Sequence, residues 1–492
     1  MKKSVKRVIS LIMTIVICLT SFSCICANAT ENDYEYNDYP LIVVRGFDIV
    51  SFAYEDGKEI LDIKIPEIIS VASKFLFQEF FFLKDAATDT LLSYANKLFG
   101  PMASDENGEP IFKGVHIPQF YTSTAEFDIS SFGKKHAQGL IHESVDQLGA
   151  ENVYVFTFDF RKTPDVYARE LDELIEIAKK ETGKDKVNIA ATSMGSVALT
   201  AYFYYIGYDK IDSAVILSGV HNGSDFAGKL FTGKLEVNKE TVVNFFDSLA
   251  ESQSPFVKIL LKVAKTIGLY NFLSNIVSDV IIDHQNELYE GFLRHTFATA
   301  PGTWALCPDE YFDEGIEYIF NGVEDKYAVV IEKIKGLRDF IFSTENILSR
   351  AYEEGVKLSY VSNYSLGLVP IYEGSDAQGD LIVSTYITSN YAKVAPYGKQ
   401  LGAEELANVE PEFISPDKSV DASACLYPEY TWFIKDAIHV GCSYESEFAR
   451  FAIMLATDKN QPTVYDNELY PRFLEVDKNQ NFIRWKSKKL KR

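Results

Sequence analysis

Val187-Asn188-Ile189-Ala190-Ala191-Thr192-Ser193-Met194-Gly195 carries an apolar run into a serine set among small residues, and a helix-like stretch, Ser196 to Tyr205, follows at once. Val187 to Ala191 is short, continuous and apolar, the pattern of a strand buried on both faces of a parallel sheet. A serine lifted onto a sharp strand-to-helix turn needs strained dihedrals, and only small residues fit two positions before and two positions after it. Ala191 and Gly195 meet that demand. The plainer reading is a serine that merely caps the following helix. A buried strand before it and a helix after it favour the exposed turn.

Four more runs of the same kind lie outward from this stretch: Leu41 to Val44, Val153 to Phe158, Ala214 to Leu217 and Val356 to Val361. Between them the clearest helix spans 165–182. Thr163 and Pro164 suit its start, Tyr167, Leu171, Leu174, Ile175 and Ala178 fall on one face, and Gly183 suits its end. Strand, helix, strand, helix, strand predicts an α/β fold with a mostly parallel sheet and flanking helices. Two long segments interrupt the rhythm. Residues 48–150 include an apolar helix-like stretch with Phe75, Phe77, Phe80, Phe81 and Phe82, and residues 222–355 read as mostly helical, with Phe256 to Ile282 strongly apolar. The expected organisation is a catalytic core of 30–221 and 356–492 with an inserted helical cap, 222–355.

A serine hydroxyl is a weak nucleophile at neutral pH, so it needs a base, and the base needs an orienting carboxylate. On this type of scaffold the order along the chain is serine, acid, histidine. His221, His284, His295 and His439 follow Ser193. His439 lies on an expected loop just before the helix-like stretch Glu445 to Ala456, where a base is needed. His221 reads as a loop residue beside a strand, and His284 and His295 fall in the cap. Asp376 and Asp380 both qualify as the acid by position. Asp380 is preferred because a glycine precedes it and an apolar run follows, although a turn aspartate is common in such a loop. The oxyanion of acyl transfer needs two backbone donors: the N–H of Met194, after the nucleophile, and that of Phe47, after the first strand, where Gly46 lets the backbone come close.

These blocks resemble the secreted bacterial lipases and the lecithin:cholesterol acyltransferase-like branch of the α/β-hydrolases. Leu41-Ile42-Val43-Val44-Arg45-Gly46-Phe47 is similar to that family's oxyanion strand and loop, with Arg45 where His or Pro is usual. Asp159-Phe160-Arg161 resembles its Asp-Trp-Arg signature. Ala191-Thr192-Ser193-Met194-Gly195 is similar to its alanine-type elbow, and Ser218-Gly219-Val220-His221-Asn222-Gly223-Ser224 to its Gly-Thr-Pro-His-x-Gly-Ser block. Gly379-Asp380-Leu381-Ile382-Val383 resembles its acid loop, with Leu381 where Gly is usual, and Ile438-His439-Val440 its base. The resemblance spans roughly residues 40 to 456 and is specific only in these blocks. It implies an α/β-hydrolase fold and a carboxylic-ester hydrolase with Ser193 as nucleophile, His439 as base and Asp380 as orienter.

The ends and the composition set the remaining expectations. Lys2, Lys3, Lys6 and Arg7, the apolar run Val8 to Leu19 and Ala27-Asn28-Ala29 form the pattern of a cleaved secretory signal over residues 1–29, with an apolar run too short for a comfortable membrane span. Its removal takes away four positive charges and shifts the net charge from −22 to −26. Such a surface repels nucleic acid. Cys307, Cys425 and Cys442 remain, too few for a disulfide framework and without a metal-binding spacing. A Cys425–Cys442 bridge across the base loop and three free thiols are the two expectations weighed. The chain thus reads as a secreted serine esterase or lipase for a lipid-like acyl ester, with no cofactor, no metal, no nucleic-acid partner and no membrane span after signal cleavage. An acyltransferase or thioesterase with the same residues, and a non-enzymatic binding protein on the same fold, are the alternatives.

Overall fold

The computed structural model describes residues 36–60, 84–129, 138–251, 282–439 and 441–483, with a few positions between 70 and 78 and between 265 and 278. The signal segment 1–29, most of the aromatic runs 75–82 and 256–282, and the basic tail 486–492 lie outside the described residues.

Seven strands pair in parallel into one sheet: β1 Leu41–Val44, β2 Val153–Phe156, β3 Val187–Thr192, β4 Ile211–Leu217, β5 Lys357–Tyr364, β6 Thr431–Lys435 and β7 Phe473–Glu475. Their spatial order is β7-β6-β5-β4-β3-β1-β2. The fold is α/β, as the alternation of apolar runs and amphipathic stretches predicts. The five expected strands are all present. β6 and β7 are additional: β6 ends in a lysine, and β7 is a three-residue edge strand with one buried side chain. Neither makes an apolar run long enough to stand out.

Alternate side chains of the strands serve two cores, because successive residues of a strand point to opposite faces. Ile42, Val44, Ile189 and Ala191 pack with α3 Pro164–Thr182 and α4 Gly195–Tyr205, which follow α1 Lys84–Phe99 and α2 Gln138–Leu148 in the chain. Leu41, Val43, Ala190 and Val215 face the other way, against α2 and against α9 Glu447–Thr457. Gly183 ends α3 at φ +70°, the left-handed conformation that favours glycine. α4 is apolar all round and nearly all its residues are buried, which lets it run through the middle of its layer.

Between β4 and β5 the described residues are mainly helical, with α5 Asp225–Phe231, α6 Asp309–Phe320, α7 Ala328–Lys335 and α8 Thr344–Glu353. Phe231, Trp304, Phe312, Phe320, Val330 and Ile334 form a core of its own. Gly302 joins this segment to the sheet: its N–H donates to Arg161 O at 3.2 Å, and a Cβ there would lie 2.0 Å from Lys162 O and 2.2 Å from Phe160 O. Only glycine permits so close a backbone approach.

The strand order also locates the crevice. The chain passes from β1 outward to β2, then crosses back over β1 to β3 and continues the other way. The two directions part between β1 and β3, and in open parallel sheets ligands bind outside the carboxyl ends of strands at such a point. Gly46 follows β1 there, and Ser193 follows β3.

The Cys425–Cys442 bridge is not formed; Cys307, Cys425 and Cys442 are all free and buried. The reason is β6. Cys425 precedes it and packs with Tyr364 and Phe433, whereas Cys442 follows it and packs in the layer of α2 and α9. A five-residue strand separates its ends by about 16 Å, and a disulfide needs its Cα atoms within about 7 Å. No helix among the described residues is long and apolar enough to cross a membrane.

Candidate active site

The carboxyl edge of the sheet gathers residues that lie far apart in the sequence. Ser193 ends the β3 run with φ +53°, while Thr192 and Met194 on either side are buried. This is a strained conformation for a residue with a side chain, and it leaves Ser193 partly open. Its backbone is held on two sides. Ser193 N–H donates to Leu217 O at 2.9 Å, and Ser193 O accepts from the Ser196 hydroxyl at 2.6 Å. The Ser196 oxygen in turn accepts the Val220 N–H at 2.9 Å. Gly195 is required by packing: a Cβ there would lie 2.5 Å from Val44 O and 2.8 Å from Arg45 O.

His439 lies four residues beyond β6. Its Nε2 is 2.8 Å from Ser193 Oγ, and its Nδ1 is 2.7 Å from Asp380 Oδ2. Asp380 is fully buried. Its other carboxylate oxygen accepts from the N–H groups of Ile382 at 3.1 Å and Val383 at 2.8 Å, and its backbone O accepts the His439 N–H at 2.9 Å. The carboxylate therefore has little freedom to rotate, and it presents one oxygen to the ring. Asp376, the alternative acid, is an exposed turn residue whose backbone O accepts from Tyr397 N–H. Leu381 sits at φ +84°, a conformation that favours glycine, and here a leucine carries that strain.

Phe47 and Met194, the expected donors, follow Gly46 and Ser193 in the chain. A Cβ on Gly46 would be 2.8 Å from Ser193 Cβ and 3.4 Å from Met194 N, so the loop after β1 lies directly against the serine turn. Neither the Phe47 N–H nor the Met194 N–H donates to a group among the described residues. Arg45 is buried and braces this loop through Asp48 at 2.9 Å, and Asp48 also accepts from Ser51 Oγ at 2.6 Å. The Phe47 ring packs at 4.1 Å on Phe160, a core residue, and lies 6.4 Å from Phe297 of the inserted segment.

No protein-family model matches the chain, and no curated protein matches it at a significant level. The site therefore stands on its own residues.

The other motif residues are structural. Asp159 and Arg161 form a buried two-pronged ion pair, with Arg161 Nη2 also donating to Val115 O at 2.9 Å. His221 lies on the loop after β4, as its sequence setting suggests. It is buried, and its Nε2 lies 2.7 Å from Asn390 Oδ1, a residue at φ +54°. Burial, only partly offset by that hydrogen bond, pushes the His221 pKa down to about 4. His284 and His295 are in the inserted segment, and His295 Nε2 is 3.1 Å from Asn96 Oδ1 on the segment before β2. Sequence reasoning gave no individual role to Ser196, Ser218, Asn363 and Asn390, because a polar residue carries no such signal until its hydrogen-bond partners are known. Among the described residues no group of three His, Cys, Asp or Glu side chains is arranged to hold a metal.

Proposed function

We propose that this chain is a serine carboxylic-ester hydrolase of the α/β-hydrolase type, secreted, and acting through an acyl-enzyme on a lipid-like ester. One observation carries the reading: Ser193 Oγ, His439 and Asp380 form a continuous hydrogen-bonded chain at 2.8 and 2.7 Å, with the serine on a strained turn at the switch point of the sheet.

In this reading Asp380 accepts a hydrogen bond from His439 Nδ1–H, which leaves Nε2 unprotonated to take the Ser193 proton. The Ser193 oxygen attacks the ester carbonyl, and the carbonyl oxygen gains charge facing the Phe47 and Met194 N–H groups. The imidazolium, stabilised by Asp380, gives its proton to the leaving alkoxide. Water then repeats the sequence on the acyl-enzyme, with His439 as base, and frees the acid. The partly exposed rings of Phe47, on the loop after β1, and Phe297, 6.4 Å apart, support an apolar acyl group.

The test is labelling by a fluorophosphonate together with hydrolysis of p-nitrophenyl esters of increasing chain length. Wild type should label once, at Ser193, and kcat/KM should rise from acetate to medium chains. Ser193→Ala should neither label nor turn over. A wild-type protein that does not label ends the reading, and a flat chain-length profile removes the lipid-like substrate.

A further inference from the structure

We infer that Asn363, which touches no reacting atom, is the positioning residue that sets His439 against Ser193. The inference rests on the hydrolase reading above.

Asn363 lies near the carboxyl end of β5 and is 1% exposed. Its Nδ2 donates to two acceptors, Ser218 Oγ at 3.0 Å and Ile438 O at 2.9 Å. Ser218 follows Leu217, whose carbonyl holds the Ser193 N–H, and Ile438 directly precedes His439. One amide group therefore ties the turn that carries the nucleophile to the loop that carries the base. A backbone oxygen such as that of Ile438 can only accept, so the nitrogen of the amide must face it. The Asn363 backbone oxygen adds a third tie, accepting the Thr385 hydroxyl at 2.9 Å just beyond the acid loop.

The rest of the base loop shows why such a tie matters. Asp436, three residues before His439, stands at φ +62°. The loop leaves β6 through this strained residue, and its carbonyl at 438 accepts from the Asn363 amide and the Gly441 N–H. Among the described residues the buried Asn363 Oδ1 has no partner. A buried amide oxygen left unsatisfied is unfavourable, so this side chain is poorly explained as a contribution to stability. A leucine of similar volume would avoid the penalty but supply no donor.

Two variants test the assignment. Asn363→Leu keeps the volume and removes both donors. Asn363→Asp keeps the shape and turns the donor facing Ile438 O into an acceptor. The measurements are the fluorophosphonate labelling rate constant, the final labelled fraction, and kcat and KM on p-nitrophenyl butyrate. A displaced base lowers the rate at each folded site, by roughly 10- to 100-fold for a shift approaching 1 Å. Both variants should show that loss in rate constant and kcat, with KM within twofold and a full final labelled fraction. A reduced labelled fraction with an unchanged rate constant would mean that Asn363 only supports folding, and would overturn the inference. Unchanged values throughout would overturn it as well. Where the 363 variants do not accumulate folded, Ser218→Ala decides: it removes one acceptor and should slow labelling threefold or more, and an unchanged rate refutes the assignment. Failure of wild type to label is a separate outcome, and it removes the hydrolase reading and this inference together.

Discussion

Gly46→Ala should disable catalysis while the protein still folds. Gly46 does not need glycine's freedom at positive φ, so the substitution acts through space alone. The added methyl would lie 2.8 Å from Ser193 Cβ and 2.9 Å from Thr192 O. Carbon atoms rest at about 3.5–4.0 Å, so the loop after β1 must retreat by roughly 0.7 Å or more. An oxyanion donor works only within about 2.7–3.1 Å of the developing charge, and losing one such donor lowers kcat by about 10²–10³. A retreat of that size takes the Phe47 N–H out of the window. The crowding itself should destabilise the fold by about 1–3 kcal/mol, the usual range for an extra methyl in a packed site. The assay is kcat on a p-nitrophenyl ester, normalised to sites titrated with a fluorophosphonate, with thermal melting alongside. A folded Gly46→Ala protein within threefold of wild-type kcat would refute the assignment of Phe47 as a donor.

Asp380→Asn should lower kcat by several orders of magnitude, because the imidazole loses its charge partner and its correct tautomer, whereas Asp376→Asn should be nearly silent; the reverse result in steady-state kinetics would reassign the acid. Ser193→Ala with His439→Ala should be barely slower than either alone, since the pair acts as one unit, and additive losses would contradict that. Because the His221 pKa is depressed in the fold, the unfolded chain binds its proton first, so stability is lost as pH falls from about 6.5 to about 4. That contribution is roughly 3 kcal/mol at most, and His221→Gln should melt with a shallower pH dependence over this window than wild type. Cys425 and Cys442 are buried and their pKa values pushed up to about 12, so both should resist a thiol reagent in the native state, and in a chain expressed without residues 1–29 three thiols should titrate after denaturation without reductant; two or fewer would require a bridge.

The amino-acid sequence alone determined what depends on neighbours along the chain. Apolar runs such as 41–44 and 187–191 mark strands buried on both faces, and the periodicity of 165–182 marks a helix with its caps, because these signals arise from burial and backbone sterics within a few residues. The serine turn was legible for the same reason: Ala191 and Gly195 are small where the turn demands it. Chain order and loop position narrowed the base to His439 and the acid to two aspartates. The tertiary structure decided what depends on contacts across the chain. It set Asp380 rather than Asp376 against His439, 59 residues away, and it kept Cys425 and Cys442 apart by running β6 between them. It also buried His221 against Asn390 and brought Asn363 between the serine turn and the base loop. These last residues are small and polar, and their roles come from direction and distance. Neither property is written in composition or spacing, since a hydrogen bond between strand ends exists only once the sheet has aligned those ends.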